Sequence, residues 1–312
     1  MNMQVDLERR TSSPPVRAIG IFGEEGSHTH DSFLDQFSRS QASYKVIFCP
    51  APPGESTDWI FKNLVQWVGN GKTNCCLVPF FNTKAEPFHT VFRTIFECDV
   101  CVVDMFKREI VQNLISTQHV QSISDISLII SNQPCFIQTE EWRSRHMETV
   151  SIERRSASSE ARLLIERNGN GEKVALIGSK LLTKIHNELH IVPGGEKIQR
   201  NDNYTSFFVV SKNPRNHAEN EYSLYAFPVK SAQDKARIDE RIASVALFSV
   251  SSSWLVLTGD KTPYLYAYQI STGHDLARIE KFEALLRESF PELKCWGRVN
   301  KAISQFMLNT EG

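Results

Sequence analysis

Four short segments carry residue types from which a binding or catalytic site is built, and all four lie where a hydrophobic run meets a polar turn. The first is Gly23-Glu24-Glu25-Gly26-Ser27-His28-Thr29-His30, directly after the apolar run of residues 17–22. Glycines at such a turn let backbone N–H groups approach a ligand, and the start of the following helix favours an anion. Ser27 and Thr29 have hydroxyls that cap that helix or hold a carboxylate. The second is Val78-Pro79-Phe80-Phe81-Asn82-Thr83, which closes a buried run. Open α/β sheets bind ligands beyond the C-terminal ends of their strands, so Asn82 and Thr83 are well placed. The third, Ser131-Asn132-Gln133-Pro134, also follows a buried strand. The fourth, Asn201-Asp202-Asn203-Tyr204-Thr205-Ser206-Phe207, is a polar loop entering a hydrophobic strand. Thr205 stands at its mouth, able to donate or accept a hydrogen bond. Taken singly, each segment also fits ordinary turn and cap chemistry by Asn, Asp and Ser.

Other reactive side chains give weaker patterns. His186 and His190 are one helical turn apart, a metal-compatible spacing, but no third ligand is near them in sequence. They read as surface or helix-end residues, and His30 as a satisfied structural histidine. Cys98 and Cys101 form an isolated C-x-x-C, for which buried apolar cysteine is the default. No G-x-S-x-G, Walker loop, H-E-x-x-H or paired zinc motif is present.

The elements that must position these residues alternate. Residues 17–22, 44–48, 74–79, 127–131, 173–177 and 205–211 read as strands. Residues 30–37, 59–68, 136–145, 158–167 and 181–188 read as helices, with a further helix starting near Pro87. Between that helix and residue 120 the pattern is irregular. Alternation of this kind predicts parallel sheets with crossover helices, in two lobes of about 17–115 and 120–190 around a cleft. The strand at 205–211 is expected to cross back to the first lobe, giving a catalytic unit over 17–212 with 195–212 in that lobe. Residues 1–16 read as a flexible tail, and the polar stretch 212–220 as a linker. Beyond it, strands at 223–229, 253–257, 263–270 and 293–299 and helices at 234–247 and 275–290 form a β-α-β-β-α-β order in a second domain over 221–312. That order is the ferredoxin-like arrangement. No internal repeat or extended low-complexity tract is seen.

Composition limits the function classes. A net charge of -1 gives no argument for a nucleic-acid or anionic-membrane partner. No apolar run approaches the 18 or more residues of a membrane span. The first residues carry charges where a signal peptide has its apolar core. Seven cysteines, an odd number in a long chain, read as reduced thiols, so a cytoplasmic location is expected.

Taken in order, the segments resemble the prephenate dehydratase family. The family's G-P-E-G-T-F-S is matched by residues 23–29, V-P-I-E-N-S by 78–83, and S-H-P-Q by 131–134. S-T-A-E-A-A is matched by 156–161, A-A-I-G-S by 175–179, and N-x-T-R-F by 203–207. The resemblance implies a two-lobed, periplasmic-binding-protein-like α/β domain with prephenate in its cleft, followed by an ACT domain. It implies no metal or organic cofactor, and a homo-oligomer formed through the ACT-like domain. The implied reaction removes carbon dioxide and the ring hydroxyl together, giving phenylpyruvate in phenylalanine biosynthesis. By resemblance Thr205 is the catalytic hydroxyl-side donor. Gly26, Ser27, Asn82, Thr83, Ser131, Ser156, Ser206 and Phe207 are the substrate-binding positions.

Three departures bear on that expectation. Ser206 stands for the T-R-F arginine, Phe81 for the V-P-I-E-N glutamate, and Asn132 for the S-H-P-Q histidine. Each removes a charged or ionisable group from a site for a dianion, and a guanidinium that pairs a carboxylate has no neutral equivalent. Arg200, six residues before Ser206, is the candidate replacement. Relatives that decarboxylate prephenate without expelling the hydroxyl also have altered T-R-F segments, so that outcome is the alternative. A catalytically inactive binding protein is a further one, since two lobes around a cleft also describe binders. The two-part architecture and retained Thr205 favour the dehydratase. The ACT-like half departs as well, with residues 234–239 near the family's G-A-L and 256–259 near its E-S-R-P. It is expected to dimerise without sensing phenylalanine.

Overall fold

The computed structural model describes residues 17–37, 44–50, 52, 56–84, 88–155, 160–213, 221–245, 249–256, 264–273 and 275–300. The tail 1–16, Pro87, Ser156, residues 214–220 of the linker, 257–259 and 301–312 lie outside them.

The first lobe is built from β1 (Arg17–Phe22), α1 (His28–Phe37), β2 (Tyr44–Cys49), α2 (Thr57–Gly69), β3 (Cys75–Asn82), α3 (His89–Glu97) and β4 (Cys101–Glu109). The second runs through β5 (Asn113–Thr117), β6 (Leu128–Asn132), α4 (Gln133–Gln138), α5 (Glu140–His146), β7 (Ser151–Arg155), α6 (Ala161–Gly169), β8 (Val174–Gly178), α7 (Leu182–Ile185) and β9 (Leu189–Ile191). β10 (Tyr204–Ser211) then returns to the first lobe, between β3 and β4. The second lobe has a five-stranded sheet in the order β7-β6-β8-β5-β9.

Several local expectations change. The first-lobe sheet is mixed, not parallel: β1 is parallel to β2 and β3, whereas β10 is antiparallel to β3 and β4. A strand coming back from the second lobe enters from the opposite end, so its direction is reversed. The stretch read as irregular contains β4 and β5. β4 alternates too weakly to announce itself, because Asp104, Lys107, Arg108 and Glu109 interrupt its apolar residues. The single helix expected at 136–145 is two, with Thr139 at the break, where its Oγ1 donates to Cys135 O at 2.7 Å. The helix expected at 181–188 shrinks to α7, and its last residues open into β9.

The C-terminal part comprises β11 (Tyr222–Val229), α8 (Ala232–Val245), β12 (Ser249–Val256), β13 (Tyr264–Ser271), α9 (Leu276–Ser289) and β14 (Lys294–Val299). Its strand order β12-β13-β11-β14 is that of a ferredoxin-like βαββαβ unit. Phe282 and Leu286 of α9 and Ile238 and Ile242 of α8 bury one face of this sheet with Tyr225, Phe227 and Tyr268.

The two parts share one core and one sheet. β14 runs parallel beside β4 and makes a nine-stranded sheet, β12-β13-β11-β14-β4-β10-β3-β1-β2. Leu224, Ala226, Ala267 and Trp296 pack into the same cluster as Phe92, Val102 and Phe208, with Phe92 and Trp296 at 5.8 Å between ring centroids. The joint depends on Gly297, which pairs with Val102 at a φ of +133°. A Cβ there would lie 2.0 Å from Val102 O. Gly297→Ala is therefore expected to destabilise the chain by more than the roughly 1–3 kcal/mol of backbone strain alone. Urea denaturation would show a lowered midpoint, and an unchanged midpoint would mean the joint carries no stability.

Candidate functional site

The site begins at the turn between β1 and α1. Gly23 and Gly26 adopt φ of +87° and +84°, conformations that favour glycine. A Cβ at Gly26 would also sit 2.3 Å from Leu182 Cδ2 in the second lobe, so the Leu182 side chain would have to move. Ser27 caps α1: its Oγ accepts from His30 N at 3.3 Å and donates to Phe22 O at 3.3 Å. Gly26 N donates to His30 Nδ1 at 3.1 Å, so His30 carries its proton on Nε2. Ser179 Oγ of the second lobe donates to Asp31 Oδ2 at 3.1 Å. The lobes thus close onto each other at the start of α1.

Behind this turn runs a buried chain of neutral side chains that crosses between the lobes. Asn82 Nδ2 donates to Thr205 Oγ1 at 2.8 Å and to Asn203 Oδ1 at 3.2 Å. Asn203 Nδ2 donates to Ile110 O at 2.9 Å and to Gln138 Oε1 at 3.0 Å. Gln112 Nε2 donates to the same Gln138 oxygen at 2.7 Å and to Cys135 Sγ at 3.3 Å. Gln112 Oε1 meets His28 Nε2 at 2.8 Å. Two backbone groups set every amide in this chain. Ile110 O can only accept, which fixes the nitrogen of Asn203. Lys84 N can only donate, and it gives its hydrogen to Asn82 Oδ1 at 2.8 Å.

The consequence is chemical. Thr205 Oγ1 accepts from Asn82, so its own O–H is directed elsewhere. Gln138 Oε1 accepts twice, which leaves its NH₂ without a partner among the described residues although the residue is only 7% exposed. The assembly thus presents donors, and it does so without formal charge.

The other sequence-marked residues are placed as follows. Thr83 Oγ1 donates to Asp202 O and accepts from Tyr204 N at 2.9 Å, tying the end of β3 to the start of β10. Ser131 is fully buried and donates to Ile177 O at 2.7 Å. Asn132 caps α4, accepting from Cys135 N at 3.1 Å. Ser206 is buried and alternates to the opposite face of β10 from Thr205, the face on which Phe208 stacks against Phe80 at 3.8 Å. Phe207 lies in the core, stacked on Phe106 at 5.2 Å. Arg200 stands 3.9 Å from Glu141 and 4.0 Å from Glu140. Arg108, directly across from Thr205 in β4, pairs with Asp35 of α1.

Thr205, Asn82 and Asn203 therefore come together, with Ser27 and Gly26 at the neighbouring turn. Gln112 and Gln138 escaped sequence reasoning. Their one signal was an amide inside or beside an apolar run, a pattern that surface glutamines share. His28 was visible inside the glycine turn, but nothing local marked its partner 84 residues away.

Burial is the main influence on both histidines. It pushes His28 below its ordinary range, against the pull of Gln112 and Asp31, and does the same to His30 against Glu25 and Asp31. Glu160, at the start of α6, is pushed up, first by burial and then by the Glu24 carboxylate, while Arg155 opposes. Cys101 of the C-x-x-C is raised to about 11 by burial, so its thiol stays protonated. Among the described residues no group of three His, Cys, Asp or Glu could hold a metal ion. No helix among them is long and apolar enough to cross a membrane. A cavity of about 490 Å³, lined by Arg17, Tyr44, Thr73, Ser211 and Lys212, lies at the far end of the sheet from Thr205.

Comparison with known proteins gives a consistent picture. A family model described as prephenate dehydratase matches residues 19–215. The solved prephenate dehydratase of Arthrobacter aurescens in complex with L-phenylalanine superposes with a TM-score of 0.71 at 18% identity, covering 91% of this chain and 90% of that one. The prephenate dehydratase of Staphylococcus aureus gives 0.66 at 16% identity, covering 91% and 100%. GqqA, described as a novel type of quorum-quenching acylase, gives 0.69 at 13% identity, covering 93% and 100%. Identities this low show the shared two-lobed α/β fold. None of the curated proteins matches the chain in sequence.

A pH dependence follows from the histidines. The unfolded chain takes up protons near 6.5, the folded chain only below that, so stability falls as pH falls through this region. Denaturation midpoints measured between pH 7.5 and 5.5 are expected to decline, with a shallower decline in the His28→Gln/His30→Gln double variant. Parallel profiles for the two proteins would show that neither histidine is held neutral.

Proposed function

The chain belongs to the prephenate dehydratase family, and on that premise we propose that it converts prephenate to phenylpyruvate. The bond to the ring carboxylate breaks, and carbon dioxide leaves. The electron pair passes through the ring, and the hydroxyl opposite departs as water once protonated. Gain of aromaticity supplies the drive. Such a site needs donors for two carboxylates, a place poor in water for the departing one, and a proton for the leaving oxygen.

The observation that carries this reading is the direction of the Asn82–Thr205 hydrogen bond, 2.8 Å long with Asn82 as donor. It commits the Thr205 oxygen as acceptor and makes its O–H available to the leaving hydroxyl. Gln138, with its oxygen doubly engaged, offers NH₂ to a carboxylate. Gly26, Ser27, Asn82, Thr83 and Ser131 remain proposed contributors to the walls of the site, as do Ser156, Ser206 and Phe207. For Ser206 and Phe207 that contribution is to the strand that carries Thr205.

A second reading is decarboxylation with the ring hydroxyl retained. It is favoured by the neutrality of Phe81, Asn132 and Ser206 and by the placement of Arg200 beside two glutamates. A site that decarboxylates the substrate but delivers a proton to a ring carbon, and not to the hydroxyl, takes up the electron pair there and stops at a non-aromatic dihydro-hydroxyphenylpyruvate.

We read the C-terminal βαββαβ unit as an ACT-like domain through which the chain forms a homo-oligomer. Support comes from its strand order and from β12, which leaves an open sheet edge.

Incubation with prephenate and identification of the product tests the reading. Phenylpyruvate is expected. The dihydro product would transfer the assignment to the second reading, and unchanged prephenate would leave a binding protein. Thr205→Val is expected to lower kcat by about 10²–10⁴-fold, the usual range for a lost proton donor, with Thr205→Ser retaining most activity. Equal kcat in Thr205→Val would remove Thr205 from the chemistry. Calorimetry with phenylalanine is expected to give no binding heat, and tight binding would overturn the view that this C-terminal domain does not sense it.

A further inference from the structure

We propose that His28 is a positioning residue that acts through Gln112 to hold Gln138 in its ligand-facing orientation. The inference rests on reading the lobe junction as the substrate site.

Gln112 is 1% exposed and sits where the chain crosses from the first lobe to the second. Both hydrogens of its amide nitrogen are committed, to Gln138 Oε1 and to Cys135 Sγ. Its amide oxygen meets His28 Nε2 at 2.8 Å. The network dictates the imidazole tautomer, because Gln112 cannot turn its nitrogen toward His28 without setting oxygen against the Gln138 oxygen. His28 must therefore donate from Nε2. The ring comes from α1 of the first lobe, whereas Gln138 belongs to α4 of the second, so the contact also joins the lobes.

Removal of that N–H leaves a buried carbonyl oxygen unsatisfied. The least costly relief is a rotation of Gln112 away from Gln138. Gln138 Oε1 then keeps only Asn203 Nδ2, at 3.0 Å, and its amide is free to swing. The donor pair that meets the ligand loses its fixed direction. Thr205, four hydrogen bonds from Gln112 through Gln138, Asn203 and Asn82, stays anchored by Lys84 N and Ile110 O. The effect thus falls on binding and leaves the proton donor in place.

The variants His28→Phe and His28→Gln separate this role from mere packing. Phenylalanine keeps the ring without the donor, and glutamine restores an N–H at a similar reach. With prephenate, His28→Phe is expected to raise KM about tenfold, the order of one misdirected hydrogen bond, with kcat changed little. His28→Gln is expected to restore KM to within about threefold. Wild-type KM in His28→Phe, or equal loss in both variants, overturns the proposal.

A second readout is independent of turnover. Nitrogen NMR of the full chain is expected to show His28 protonated at Nε2 at neutral pH. The side-chain amide signals of Gln112 and Gln138 should shift in His28→Phe and return in His28→Gln. An Nδ1–H tautomer, or unmoved amide signals, sinks the positioning role. If wild-type protein leaves prephenate unchanged while these signals behave as expected, the functional reading fails and the positioning role stands.

Discussion

Asn203 and Ile110 hold each other in both directions, and the two-lobed arrangement depends on that clasp. Ile110 N donates to Asn203 O at 2.8 Å, and Asn203 Nδ2 donates back to Ile110 O at 2.9 Å. These residues lie on the two segments that cross between the lobes, one leaving after β4 and one returning before β10. Ile198 N adds a bond to Gln112 O at 2.9 Å a little further along. A side-chain amide that satisfies buried backbone at a crossing point does two jobs. It keeps the strands from separating, and it gives the polar network a fixed starting direction.

From that starting point the buried amide chain carries no formal charge. A buried charge needs a partner or shifts its protonation, whereas buried amides need only complete hydrogen bonding. Asn82, Asn203 and Gln112 meet that requirement by sharing donors and acceptors in a chain, Gln138 meets it at its oxygen and leaves its NH₂ over, and His28 completes the chain as an uncharged imidazole. Three arginines near the junction have carboxylates beside them: Arg108 has Asp35, Arg155 has Glu153, and Arg200 has Glu140 and Glu141. On the proposed function, a dianionic ligand would be held by oriented dipoles, which need not reorganise when charge moves.

The C-terminal unit is fastened to the lobe that carries Thr205. β4 is the shared strand, paired with β10 on one side and β14 on the other. Phe92 of α3 touches both Phe208 and Trp296, so the same helix packs on the Thr205 strand and on the C-terminal sheet. A displacement of β14 would have a short mechanical route to β10, through close-packed side chains that transmit strain.

Most local structure was legible because it follows from periodicity. The apolar runs at 17–22, 128–132 and 174–178 are buried strands, and the C-terminal βαββαβ order could be read from spacing alone. The return of residues 205–211 to the first lobe was also legible, as was the clustering of Asn82 with Thr205, carried by a resemblance of motifs in order. Illegible were β4, whose charged residues mask a central strand, and the direction of β10, which depends on where the chain re-enters the sheet. The partners of the polar network were hidden for a related reason. His28 meets Gln112 from 84 residues away, Gln138 meets Asn203 from 65, and Asn82 meets Thr205 from 123. Sequence determines which side chains are able to donate or accept. Which atom faces which is decided only when the lobes close, because each amide's orientation is set by a neighbour that the fold alone brings within hydrogen-bond reach.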